Sequence, residues 1–174
     1  KGTVSHLRAK SLTIEPTKGT ALKGDFDIKG LPLIKNTVFT LNLQELKTSK
    51  KEYDQLLRNI TGNTRNDLAE EIAQLGNFSY SGSFKGFSND FKMQGTLQTE
   101  LGKVNIKTLT FKRNAQREPV YEASVQTDQF NIGKLLNKSE LGSINFDGDV
   151  KGKGFNLDQL STQLKLNIGY IDYN

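Results

Sequence analysis

The chain has 174 residues, 24 basic against 19 acidic side chains, a net charge of +5, no cysteine and no tryptophan. The missing cysteine excludes disulfides and thiolate metal sites, and no run of 18 apolar residues is present to span a bilayer as a helix. Apolar residues make up 34%, below the roughly 45–50% (glycine included) of ordinary globular domains, as expected for strands buried on one face only.

The first elements alternate with period two. Val4 to Ile14 reads as a strand through Leu7, Leu12 and Ile14. Leu22, Gly24, Phe26, Ile28 and Gly30 then alternate with Lys23, Asp25, Asp27 and Lys29, and Gly30-Leu31-Pro32 ends the run. Val38 to Leu46 gives the next strand through Phe39, Leu41 and Leu43. The period changes at Ser49. Tyr53, Leu56 and Leu57, then Leu68, Ile72 and Leu75, fall at helical spacing. Asn66 suits an N-cap and Gly76 a C′ position, so residues 49–75 are expected as a helical insertion between strand regions 1–48 and 76–174.

Beyond Gly76 nearly everything reads as strand. Phe78, Tyr80, Gly82, Phe84 and Gly86 face one way. After a turn at Ser88-Asn89-Asp90, Phe91, Met93, Gly95 and Leu97 do the same. Val104 and Ile106 are out of phase with Leu109 and Phe111, which predicts a bulge. Tyr121, Ala123, Val125 and Thr127 form a further strand, Asn131 to Asn137 a short helical turn, and Leu160 to Tyr170 a last long alternation. Nine or ten strands with short turns predict an antiparallel meander.

A twelve-residue frame, Leu75–Gly86, recurs without a gap 66 positions later as Leu141–Gly152. Internal repetition of alternating residues describes an architecture, a stacked or grooved β-structure. Gly82, Gly86, Gly95, Gly148 and Gly152 all fall on the apolar side, where a missing side chain lets a sheet curve or a ligand chain approach.

Catalytic chemistry finds little to work with. His6 is the only histidine, and it lies near one end with no acidic neighbour in sequence. Asp25 with Asp27, and Asp147 with Asp149, are i, i+2 pairs able to hold a hard cation or act as acid and base. Lysines surround them, and solubilising strand faces account for both. Gly152-Lys153-Gly154 lacks phosphate-loop spacing. Lys47, Lys50 and Lys51 form the densest basic cluster, with no interleaved aromatics to suggest nucleic acid. No catalytic residue, metal site or cofactor is assigned.

What survives is the aromatic stripe Phe78, Tyr80, Phe84, Phe91, Phe111, Tyr121, Phe130 and Phe146. A closed core and an open apolar groove require the same alternation. As a groove, the lining is Phe78, Tyr80, Phe84, Phe91, Met93, Leu97, Val104, Ile106, Tyr121, Val125, Ile144, Phe146, Val150, Leu164, Leu166 and Ile168.

Three stretches carry a resemblance. Gly82-Ser83-Phe84-Lys85-Gly86-Phe87 runs on through Asp90-Phe91 and Gly95-Thr96-Leu97 to Leu101-Gly102. The others are Tyr121 to Leu136 and Leu141 to Leu160, with Gly24 to Pro32 upstream and Tyr170 to Asn174 at the end. Together they resemble the AsmA-like envelope proteins of Bacteroidota, the TamB-type translocation and assembly module family. The resemblance implies an internal, periplasmic segment of an inner-membrane-anchored protein. It implies an elongated, curved antiparallel sheet folded into an open, taco-like groove. Phospholipid acyl chains would be its cargo toward the outer membrane, and an outer-membrane assembly barrel of the BamA/TamA kind a possible partner, with no cofactor. A β-scaffold that pairs with client strands, and a closed barrel or sandwich holding a small ligand, are the alternatives.

Overall fold

Alternation in the sequence becomes register in space. The computed structural model describes residues 5–17, 19–49, 51–52, 75–116, 118–154 and 161–173. They form β1 (His6–Thr17), β2 (Thr20–Lys29), β3 (Val38–Thr48), β4 (Phe78–Phe87), β5 (Asp90–Thr99), β6 (Gly102–Arg113), β7 (Pro119–Asp128), β8 (Phe130–Asn131), a helix α1 (Ile132–Leu136), β9 (Leu141–Lys153) and β10 (Ser161–Tyr173). All ten strands belong to one sheet in the order β1-β2-β3-β4-β5-β6-β7-β9-β10, with the short β8 also on β9. Every pairing is antiparallel, the meander that short turns dictate. β1 and β10 do not pair with each other, so the sheet is open and the closed-barrel alternative falls away.

One row crosses all nine long strands: Ala9, Phe26, Leu41, Phe84, Met93, Leu109, Ala123, Val150 and Leu164. Cross-strand neighbours share a face, so this row and its i±2 neighbours define a single apolar side. The two repeat copies fall on β4 and β9, with Phe84 and Val150 in this same row.

Four of the sheet's register shifts keep that side coherent. In β6 the extra residue lies between Ile106 and Thr108, opposite Val125 and Ser124. It returns Leu109 and Phe111 to the side already held by Val104 and Ile106, as the phase shift in the sequence required. Bulges in β1 (Ala9 to Leu12) and β3 (Leu43 to Leu46) act alike. The fourth, at Gly169 in β10, corrects the reading of the last strand. Ile168 pairs with Phe146 but Tyr170 pairs with Asn145, so Tyr170 turns to the polar side and Ile171, opposite Ile144, continues the apolar one.

The core is thin. Phe26, Leu43, Tyr80 and Ile106 are buried beneath half-buried neighbours such as Leu22, Met93, Leu97 and Val125. A second cluster, Leu101, Phe130 and Ile144, is completed by Leu75, Ile132 and Leu135 at one end of the sheet. There α1 packs on β9. Asn131 caps it, its Oδ1 accepting from the Lys134 N–H at 2.8 Å, and a left-handed Asn137 closes it. Gly133 is required because any Cβ would strike the Leu141 carbonyl. The expected turn over 131–137 is therefore present.

Of the expected helical insertion, residues 51 and 52 are helical and residues 53–74 lie outside the described residues. Its start is a capping box: the Glu52 N–H donates to Ser49 Oγ at 3.3 Å. The Glu52 carboxylate also accepts from the Thr17 and Thr20 hydroxyls, tying this turn to the β1–β2 hairpin.

Candidate functional site

The expected lining residues do share one side of the sheet. Phe84, Met93, Val150 and Leu164 lie in the central row. Gly82, Gly95, Ile106, Val125, Gly148 and Leu166 make the next row. On its far side come Tyr80, Leu97 and Val104, with Phe146 opposite Ile168, and beyond them Phe78 and Ile144. Gly86, Phe91, Tyr121 and Gly152 flank the central row on its other side. Phe26, Leu41, Leu43, Leu109 and Phe111 belong to the same rows but were absent from the expected lining. Their alternation in β2 and β3, and the β6 bulge, were the signals.

The side is closed in the middle and open toward the edges. Tyr80, Ile106 and Ile144 are 5–7% exposed and act as core. Phe130 is likewise buried in the end cluster. Leu164 and Ile168 are 59% and 50% exposed, and Leu7 and Ile14 on the opposite border 42% and 43%. Among the described residues no second layer of strands or helices lies over the central rows.

A ladder of rings runs along one side of the central row. Phe39 meets Phe84 edge-on at 6.5 Å, Phe84 stacks on Phe91 at 4.8 Å, and Phe91 stacks on Phe111 at 4.9 Å. Gly86 explains the diagonal step. It stands between Phe39 and Phe91 in register, and its missing side chain leaves the room over which Phe84 reaches Phe91. Each contact contributes about 0.5–1.5 kcal/mol beyond burial.

Several glycine gaps are filled from within the sheet. The Tyr80 hydroxyl covers Gly82, the Tyr121 hydroxyl covers Gly152, and Leu166 leans over Gly148. Tyr121 is held there by its hydroxyl contact with Thr162 Oγ1 at 3.2 Å. These positions admit a close approach, as expected, but the occupant is the chain's own side chain. Desolvation pushes the Tyr80 phenol up to about 12.

The other face is polar and ion-paired. Asp27 accepts from Arg8 at 2.8 Å and from His6 at 2.7 Å, with Lys29 nearby. The Arg8 hydrogen bond, then the one from His6 and the charge of Lys29, hold its carboxyl below the usual range against partial desolvation. Asp25 accepts from the Ser11 N–H, and Asp147 takes Lys107 at 2.7 Å. Lys23 sits between Glu15 and Glu45, which raise its pKa. Asp25, Asp27 and Asp147 are thus engaged by cations or backbone. Among the described residues no three His, Asp or Glu side chains converge as a metal site. A depression of about 520 Å³ also opens on this face, lined by Thr96, Asn105, Gln126, Asp147 and Asn167. Its polar lining gives an acyl chain no reason to enter, so its volume does not make it the better candidate for apolar cargo.

No family model matches the chain, and no match exists among curated proteins or solved structures. No helix among the described residues is long and apolar enough to cross a membrane.

Proposed function

We propose that this chain is a periplasmic segment of an AsmA-like, TamB-type envelope protein. Its apolar sheet face would carry phospholipid acyl chains between the inner and outer membranes in support of outer-membrane assembly. One observation carries the reading: a single apolar face crosses nine strands of a sheet that stays open at both borders. Monomeric soluble proteins rarely leave a continuous apolar patch of more than a few hundred Å² exposed. Each methylene laid on such a face and kept from water gains roughly 0.8 kcal/mol, so chain length alone supplies affinity without a specific pocket. The ion-paired opposite face keeps the segment in water. No bond is made or broken in this function, so it needs no catalytic group or cofactor; direction comes from a gradient or from a partner at either membrane.

The test is lipid extraction from protein purified out of a Gram-negative periplasm, with mass spectrometry of the extract. Phospholipid above the level of a control β-protein is expected. It should fall several-fold in Leu164→Lys and Leu166→Lys variants that keep their circular dichroism. Absence of lipid from the folded wild-type protein sinks the reading.

A further inference from the structure

The polar face changes character along the sheet. Over β1, β2 and β3 it is built of ion pairs, Arg8 with Asp27 and Lys23 with Glu45. Over β5, β6, β7, β9 and β10 one register row reads Thr96, Asn105, Gln126, Asp147 and Asn167, with neighbours about 5 Å apart. This row floors the depression of about 520 Å³, a size within the roughly 300–1,000 Å³ of small-ligand clefts. Among the described residues the Thr96, Asn105, Gln126 and Asn167 side chains make no hydrogen bond to the protein. Each amide offers both donor and acceptor, so the row presents uncommitted groups of both kinds at strand spacing.

Charge and an aromatic ring complete the site. Lys107 reaches across β7 to Asp147 at 2.7 Å and bounds the row on one side. Lys103, opposite Asp128, bounds it on the other. These cations and carboxylates balance, so the rim carries no net charge. Gly169 also lines the depression. As the extra residue of β10 it turns Tyr170 onto this face, opposite Asn145. Among the described residues that ring joins neither core cluster. The face of an aromatic ring is negative and attracts polarised C–H groups. An anion would meet Asp128 and Asp147, and an apolar ligand would leave the amides unpaired. A sugar offers paired hydroxyls to the amides and a C–H face to the ring.

We propose that this depression binds a neutral oligosaccharide. The Asn105, Gln126 and Asn167 side chains take its hydroxyls, and the Tyr170 ring packs against a sugar face. The site shares none of these side chains with the apolar side, so the lipid reading and the sugar site stand or fall separately. It uses the face of β10, not its outer edge, and needs no free border.

Titration of the 174-residue chain with chitotriose, cellotriose and maltotriose, followed by proton–nitrogen NMR, tests it. The side-chain amide signals of Asn105, Gln126 and Asn167 are expected to shift saturably with at least one of these sugars. That of Asn42, on the same face of β3, should stay still. Asn105→Ala and Gln126→Ala should each weaken binding by up to about tenfold, and Tyr170→Ala by as much. Leu164→Lys, on the apolar side, should leave it unchanged. If Tyr170→Ala fails to fold, the variants at the exposed Asn105 and Gln126 still decide. Absence of saturable shifts with all these sugars at millimolar concentration overturns the proposal. So does binding that survives both Asn105→Ala and Gln126→Ala intact, or an equal response of the same amides to inorganic phosphate.

Discussion

The Tyr80 hydroxyl lies 2.7 Å from the Gln94 carbonyl oxygen and 2.9 Å from that of Ser83, directly over Gly82. The ring fills the space that Gly82 and its neighbour Gly95 leave, and the hydroxyl gives the phenol a partner where water is excluded. Tyr80→Phe keeps the ring and removes the donor, so urea denaturation should show a loss of about 0.5–1.5 kcal/mol. The same phenol predicts alkaline behaviour. Its folded value of about 12 stands above its ordinary value of 10.0. Below pH 10 both folded and unfolded states keep the proton, and the contribution is intact. As pH climbs from 10 toward 12 the unfolded state releases its proton first, and stability falls. Thermal melts should therefore drop over that window in the wild type and drop less in Tyr80→Phe. One of the five tyrosines should give a late tyrosinate signal that this variant lacks.

Glycines within the repeat differ in what they tolerate. At Gly82, φ is +151° and a Cβ would overlap the Gln94 carbonyl oxygen. Gly82→Ala should cost about 1–3 kcal/mol by denaturant titration. At Gly169 a Cβ meets only the Asn145 oxygen, at 3.9 Å. Gly169→Ala should stay within about 0.5 kcal/mol. Equal losses at both sites would mean that strand content, rather than the close approach at Gly82, sets the requirement.

Facing is tested at adjacent residues. Phe84 lies among the rings of Phe39 and Phe91, so Phe84→Lys loses those contacts and buries part of a charge. A loss of about 3 kcal/mol or more is expected. Ser83, opposite Gln94 and Asn42 on the other face, should accept Lys within about 0.5 kcal/mol. Val150→Lys should follow Phe84→Lys, more mildly, because its row neighbour Leu164 is already 59% exposed. Matching unfolding midpoints for Phe84→Lys and Ser83→Lys would reverse the facing assignment.

Much of this architecture was legible in the chain. Alternation placed the strands, and apolar residues on both sides of a phase break exposed the β6 bulge, since Ile106 and Leu109 cannot share a face without it. The β10 bulge left no such mark. Tyr170 fits either face, and Ile171 beside it carries the apolar role one residue later. Contacts that depend on register were invisible as well: His6 to Asp27 spans 21 positions, and Lys107 to Asp147 spans 40. Local spacing carries no information about either. Alternation also could not separate core from groove, and both occur: Tyr80 and Ile106 are covered by their neighbours, whereas among the described residues Leu164 and Ile168 near the border stay half exposed or more.

His6 and Arg8 on β1 converge on Asp27 of β2, and the pairing fixes how that border responds to acid. Arg8 is the largest influence holding the Asp27 carboxyl below its ordinary 3.8, with His6 and Lys29 adding to it and partial desolvation opposing. A lowered value means that the contribution is intact above pH 3.8 and is lost as the pH falls through the folded value. The group is at the surface, so the effect should shrink in salt. Carboxyl NMR should find Asp27 titrating below its ordinary 3.8, and Arg8→Gln should move it back toward that value. Lys29→Gln should move it less, because Lys29 approaches only to 3.9 Å. An Asp27 titration unchanged by Arg8→Gln would mean that the guanidinium does not hold the β1–β2 pair in solution. The border strand would then lose one of the charges that blunt its edge.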